Sequence, residues 1–330
     1  MGLRVALIGG AGHVGYVTEG LKALPEASLC AVAPGCPEED ISLLQCLGAA
    51  PGVTVYTDYR DLLARERPDI VAVSPFYHLH AEATVAALQA GAAVYCEKPL
   101  ALTLESLARV RAAVASSGRP LGIMLNYRYL PAFLTARRLV AAGAIGTPTV
   151  GYAQKSYKRG RRPDFYRQRS TFGGIIPWVG IHAIDFTRWI SGCEMVSVDA
   201  RHVKLHYPEY PGMEDAATCQ YALDNGGSVV LSFDFLRPAG APSHGDDRLR
   251  LVGDRGALEI RGDRLELIDA EGAREVAPES PTLGPFADFA ESVRDPRHAC
   301  AISAAEALRA TEIALRSRDA ADSGQRQALV

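Results

Sequence analysis

Gly10, Gly12 and Gly15 stand in the spacing G-x-G-x-x-G directly behind the apolar run LRVALI, and a helical pattern over 13–23 follows them. That arrangement suits a dinucleotide: one glycine permits a tight turn, the next lets the backbone approach a pyrophosphate, and the third lets helix and strand pack closely. Gly10, Gly12 and Gly15 take those roles in order, while His13 and Val14 open a helix whose N-terminus faces the anion. A carboxylate for the adenosine ribose is expected where the second strand ends, yet that strand runs out at Ala33 into Pro34 and Gly35. No Arg or Lys stands there for a 2′-phosphate, and Glu38, Glu39 and Asp40 just beyond would repel one. NAD is therefore the expected cofactor, with NADP as the alternative.

The second chemical motif is Cys96-Glu97-Lys98-Pro99, at the end of a fifth strand. Ligands of a parallel sheet bind at the carboxyl ends of its strands, so Lys98 is expected beside the cofactor. There a partly desolvated ammonium can pass a proton to or from a substrate hydroxyl while hydride moves. The competing reading is a surface lysine before a turn proline. His78 and His80 open a helix without nearby Cys or carboxylate partners, which fits cofactor-wall or capping roles, and no metal site is signalled.

These residues need a scaffold, and the chain supplies its pattern. Short apolar runs at 3–8, 28–33, 53–56, 69–73, 92–96 and 121–125 alternate with helical patterns, predicting a doubly wound α/β domain over 1–121. The helix over 103–117 opens with Thr103 and Ser106 in favourable capping places. From about residue 195 the period falls to two: Val229, Leu231, Phe233 and Phe235 share one face, and Val230, Ser232 and Asp234 the other. Similar alternation at 248–252, 257–260 and 264–268, punctuated by DNGG, GDRG and RGD, predicts an antiparallel sheet. Helices are expected at 129–142, 180–191, 283–294 and 303–318, all within a second domain over 122–330.

Composition narrows the function. With 48% hydrophobic and 22% charged residues, and 35 basic against 38 acidic side chains, the chain has no field to draw it onto nucleic acid or an anionic membrane. The charge-free runs 41–57 and 139–154 are shorter than a bilayer span and carry Gly and Pro, so no membrane partner is expected. Seven scattered cysteines without a C-x-x-C pair signal neither a disulfide framework nor zinc, which makes a reducing cytoplasm the default.

G-x-G-x-x-G, S-P-x-x-x-H-x-H at 74 to 80, E-K-P, N-Y-R at 126–128 and GGIIPWVGIHAID at 173 to 185 together resemble the Gfo/Idh/MocA oxidoreductases, over nearly the whole chain. The resemblance implies a Rossmann domain followed by an α/β domain with a large, mostly antiparallel open sheet that makes homodimers or homotetramers. It implies an active site between the domains and a small-molecule substrate: a sugar, cyclitol or related polyhydroxylated compound. Lys98 is then the catalytic lysine and His182 the active-site histidine. Glu97 and Pro99 shape the nicotinamide ribose site, Ser74, Pro75 and His80 line the cofactor, and Asp185 contacts substrate or orients its neighbours. Asn126, Arg128, Tyr157 and Arg159 are further expected substrate residues.

One position departs from the family pattern. Four residues before His182 the family has Asp, and this chain has Trp178. Tryptophan offers one N–H donor, no charge and a stacking face, so either the substrate differs or catalysis is weakened. Just upstream, residues 155–169 hold seven basic side chains against Asp164 alone. That segment is either a solvated loop or intersubunit arm, or a set of arginine forks for an anionic sugar derivative. Two rivals to a dehydrogenase follow: a dinucleotide-binding sensor, and a redox-neutral enzyme that oxidises and then re-reduces its substrate.

Overall fold

The computed structural model describes residues 2–329. The chain divides into two compact units. One comprises the residues up to Met124 with Ser170–Phe172 and Leu283–Thr311; the other comprises Leu125–Arg169, Gly173–Thr282 and the residues from Glu312 onward.

The first unit holds six strands, β1 (Leu3–Ile8), β2 (Ala27–Ala33), β3 (Thr54–Val55), β4 (Ile70–Val73), β5 (Ala93–Cys96) and β6 (Leu121–Ile123), in the order β3-β2-β1-β4-β5-β6. Every pairing is parallel. Helices cover such a sheet on both faces, which is why Val5, Ala6, Leu7 and Ile8 are all buried and read as a continuous apolar run. Strand order reverses between β1 and β4, and ligands of this architecture bind at that crevice. The helix Leu104–Ser117 carries the expected start: Thr103 accepts from the Ser106 N–H, and the Ser106 side chain returns the bond in a capping box.

The expectation that 122–330 forms one domain needs correction, because Leu283–Thr311 packs with the first unit. Its helix Pro285–Arg294 presents Phe286 and Phe289, whose rings lie 5.5 and 5.2 Å from that of Tyr95 on β5. Two glycines make room for them: a Cβ at Gly20 would stand 2.7 Å from Phe286, and one at Gly122 would stand 2.6 Å from Phe289. The apolar face of this late helix completes a core begun some 200 residues earlier, a long-range match that local periodicity does not reveal.

The second unit is built on a nine-stranded sheet: β7 (Pro148–Tyr157), β8 (Met195–Val203), β9 (Ala216–Leu223), β10 (Ser228–Asp234), β11 (Gly245–Gly253), β12 (Gly256–Arg261), β13 (Arg264–Asp269), β14 (Gly272–Glu275) and β15 (Gln327–Ala328). Their order is β14-β13-β12-β11-β7-β10-β9-β8-β15, antiparallel except where β7 and β10 run parallel. Val229, Leu231, Phe233 and Phe235 are buried as the alternation requires. On the opposite face, cross-strand neighbours Tyr152 and Val230 remain about 40% exposed and Val150 52%. No helix among the described residues is long and apolar enough to cross a membrane.

Candidate functional site

In the first unit, neighbouring strands β1, β4 and β5 end at the same edge, and the motif residues follow those ends: the glycine loop after Ile8, Ser74 after Val73, and Glu97 after Cys96. The tight turn is made at Gly9 (φ 80°), where a Cβ would lie 2.3 Å from the Pro75 backbone, and not at Gly10, whose nearest neighbour would be an ordinary 3.5 Å away. Gly12 must lack a side chain, since its Cβ would meet Glu97 Cγ and Ser74 Oγ, each at 2.7 Å. Nothing comes within 4 Å of a Cβ at Gly15, so close helix packing falls to Gly20 instead. Ser74 Oγ is buried without a hydrogen-bond partner beside this bare stretch of backbone. A waiting hydroxyl and a glycine cradle at the end of parallel strands fit a dinucleotide.

Glu97 is fully buried, and its Oε2 accepts from the His13 backbone N–H (3.0 Å) and contacts His13 Nδ1 (2.8 Å). Lys98, 2% exposed, brings its Nζ to 3.6 Å from Glu97 Oε1. Burial alone would raise the Glu97 pKa, but the charges and hydrogen bonds of His13, with the charge of Lys98, outweigh it and hold the carboxyl at about 2. His80 is enclosed: Nδ1 lies 2.7 Å from the Pro99 carbonyl and Nε2 3.1 Å from the Pro75 carbonyl. Burial lowers its pKa against the pull of the two carbonyls; the neutral ring carries a single N–H and so donates to one of them, the other ring nitrogen having no proton to give.

Because folding depresses the Glu97 pKa from 4.5 to about 2, its stabilising contribution is fully present above pH 4.5 and fades as pH falls toward 2. Glu97→Gln is therefore expected to be less stable than wild type at neutral pH, with the gap closing across that window. Urea unfolding from pH 2 to 5 measures it; a gap independent of pH would show that Glu97 does not carry its charge there.

In the second unit, His182 and Asp185 lie on the helix Ile181–Ser191 and are 3% and 1% exposed. Asp185 is taken by Arg128: its Oδ2 accepts from Nε (3.1 Å) and its Oδ1 from Nη2 (2.6 Å), with the guanidinium 5.4 Å from the Trp189 ring. These two expected substrate residues thus hold each other. Asn126, half-buried, precedes the 3₁₀ turn Tyr127–Tyr129 and accepts there from the Tyr129 N–H through its carbonyl.

Trp178 belongs to a π-helical turn, Ile176–Gly180, and is 7% exposed. Its ring packs 5.4 Å from Tyr166, 5.6 Å from Phe235 and 6.4 Å from Tyr157, with the Arg162 guanidinium 5.0 Å from its centre. Four of the seven basic side chains of 155–169 find carboxylate partners within their own unit. Lys155 is buried and pairs with Asp247 at 2.7 Å, Arg159 pairs with Glu209, Arg167 with Asp164, and Arg169 with Glu214 and Asp322. Arg159 also stacks on Tyr207.

Sequence reading missed one cluster. Lys155 on β7, Asp247 on β11 and the Tyr127 hydroxyl are mutually hydrogen-bonded or paired, and the Tyr127 ring lies 5.3 Å from that of His182. Burial, then Tyr157 and Asp247, drive the Tyr127 pKa far above the ordinary phenol value. The available signal was the alternation of β7: Gly151 and Ala153 point inward, and Lys155 follows them at the same period.

A family model for the GFO/IDH/MocA C-terminal domain matches residues 133–259, and one for an oxidoreductase family with an NAD-binding Rossmann fold matches residues 3–125. A solved Thermotoga maritima structure assigned as an oxidoreductase is 40% identical, with a TM-score of 0.94 over 99% of this chain and 100% of that one. Inositol 2-dehydrogenase 2 of Saccharopolyspora erythraea is 29% identical over 64% of this chain and 60% of its own. D-apiose dehydrogenase of Paraburkholderia graminis is 27% identical over 74% of this chain and 65% of its own. The matches thus span about 60–65% of the length of these curated relatives. Two family models that together take in most of the chain, each falling on the unit whose fold it describes, identify it as a member of the Gfo/Idh/MocA oxidoreductase family.

Proposed function

We propose that the protein is an NAD-dependent oxidoreductase acting on a secondary hydroxyl of a neutral sugar, cyclitol or related polyol. The observation that carries this reading is Lys98, buried beside Glu97 at the end of β5 on a Rossmann sheet whose glycine loop and Ser74 await a ligand. Gly10, Gly12, His13, Val14, Gly15, Ser74, Pro75 and Glu97 would hold the dinucleotide; its nicotinamide, when bound, accepts or donates hydride. Lys98 moves the hydroxyl proton, and His182 serves as its helper or as a substrate ligand. His80, enclosed between the Pro75 and Pro99 carbonyls, helps to fix the main chain on which Lys98 stands.

Neutral substrates are favoured because Arg159, Arg167 and Arg169 already have carboxylate partners, and Arg162 lies against the Lys158 carbonyl and the rings of Tyr166, Trp178 and Phe235. Trp178 shapes the fold around Tyr157 through its aromatic packing, a role that leaves Lys98 and His182 in service and favours an enzyme over a sensor. The exposed face carrying Val150, Tyr152 and Val230 supports self-association through the second sheet.

The purified protein should bind NADH and, with NAD, reduce the cofactor on members of a panel of neutral aldoses and inositols, preferring them to the matching uronates. It should scatter light as a dimer or tetramer. Absence of NADH binding would overturn the reading at its base; preference for uronates would overturn the neutral-substrate part, and a monomer the self-association.

A further inference from the structure

We propose that Glu39 reads the adenosine ribose, supplying from the loop after β2 the carboxylate that the end of β2 lacks, and thereby selects NAD(H) over NADP(H). This rests on the dinucleotide reading of the first unit. Of the acidic run Glu38, Glu39 and Asp40, the outer two are exposed and Glu39 alone turns inward, to 6% exposure. Its Oε1 accepts from the Gly10 N–H at 2.9 Å and its Oε2 from the Gly35 N–H at 2.7 Å. The carboxylate therefore bridges the first glycine of the dinucleotide motif and the residue two past the end of β2, which is where the adenosine half of such a ligand meets its sheet.

Gly35 shows how closely the loop is drawn in. A Cβ there would stand 2.2 Å from Pro75 Cβ and 3.3 Å from Glu39 Oε2. Among the described residues no ion pair neutralises Glu39, and burial pushes its pKa upward against the two backbone donors. An inward carboxylate without a cation is costly unless a ligand gains from it. Each oxygen takes one backbone bond and keeps capacity for another. Vicinal ribose hydroxyls provide two donors at that spacing. A 2′-phosphate brings acceptors and like charge, so it gains no hydrogen bond and is repelled.

Calorimetric titration of NADH and of NADPH into wild type, Glu39→Gln and Glu39→Asp tests this without any substrate. Wild type should bind NADH at least about a hundredfold more tightly than NADPH. Glu39→Gln keeps one accepting oxygen for the loop but loses the charge, and should bring that ratio within about tenfold, with a melting curve confirming the fold. Glu39→Asp keeps the charge with a shorter reach, so NADH should weaken about tenfold while NADPH stays weak. An unchanged ratio in Glu39→Gln overturns the proposal, as does equal tightening of both dinucleotides, which would make Glu39 a plug. Should Glu39→Gln fail to fold, wild-type NADH affinity in Glu39→Asp overturns it instead. Wild type that binds NADPH more tightly overturns it while sparing the dinucleotide reading; wild type that binds neither dinucleotide overturns both.

Discussion

Lys98→Met is expected to lower kcat by about a hundredfold or more on whichever polyol the wild type turns over, while NADH affinity stays within a few-fold. Methionine reproduces most of the buried apolar stem, so packing around the 2%-exposed side chain should survive. Glu97 retains its two contacts with His13 in the variant, and the main chain around Pro99 keeps its tether to His80. What disappears is a group able to carry a proton. Lys98→Arg separates that function from charge alone, because guanidinium stays protonated throughout the accessible range. If the proton matters, arginine rescues little; if only positive charge matters, it restores most of the rate. Unchanged turnover in Lys98→Met would remove the residue from the mechanism, and a rise in KM alone would make it a substrate ligand.

The parts of this molecule that local pattern dictates were legible in the sequence. Runs such as LRVALI became buried parallel strands, Thr103 and Ser106 formed their capping box, and the glycine loop fell at the carboxyl end of β1. Roles decided by packing were not. Gly9 takes the strained turn because Pro75 approaches it, a contact between residues 66 positions apart, and Gly20 supplies the closeness expected of Gly15 because Phe286 arrives from the far end of the chain. The same holds for charge. Read in sequence, residues 155–169 are a basic patch; folded, Lys155 turns to Asp247 and Arg169 to Glu214 and Asp322, partners that no local window contains. Composition reports the charges present, and only the tertiary fold shows which remain for a ligand.

Arg128 and Asp185 extend that lesson to a site prediction, and their pairing implies a large effect on stability. Both side chains are 1% exposed and are joined by two hydrogen bonds, tying the 3₁₀ turn Tyr127–Tyr129 to the helix that carries His182 one turn earlier. Removing one partner leaves a buried charge without its counter-charge, at a cost of about 3–5 kcal/mol, whereas replacing both by apolar groups of similar volume is often close to neutral. Arg128→Met and Asp185→Asn should each lower the unfolding free energy in urea by about that amount, and the double variant Arg128→Met with Asp185→Leu should recover most of the loss. A pair serving as a strut behaves in this non-additive way with little change in KM for a polyol. A pair serving as a substrate site gives the opposite pattern: single variants of near wild-type stability whose KM rises, with no recovery in the double. Because His182 sits on the tethered helix, the strut reading also requires the destabilised single variants to lose kcat as they loosen, and the double variant to regain rate together with stability.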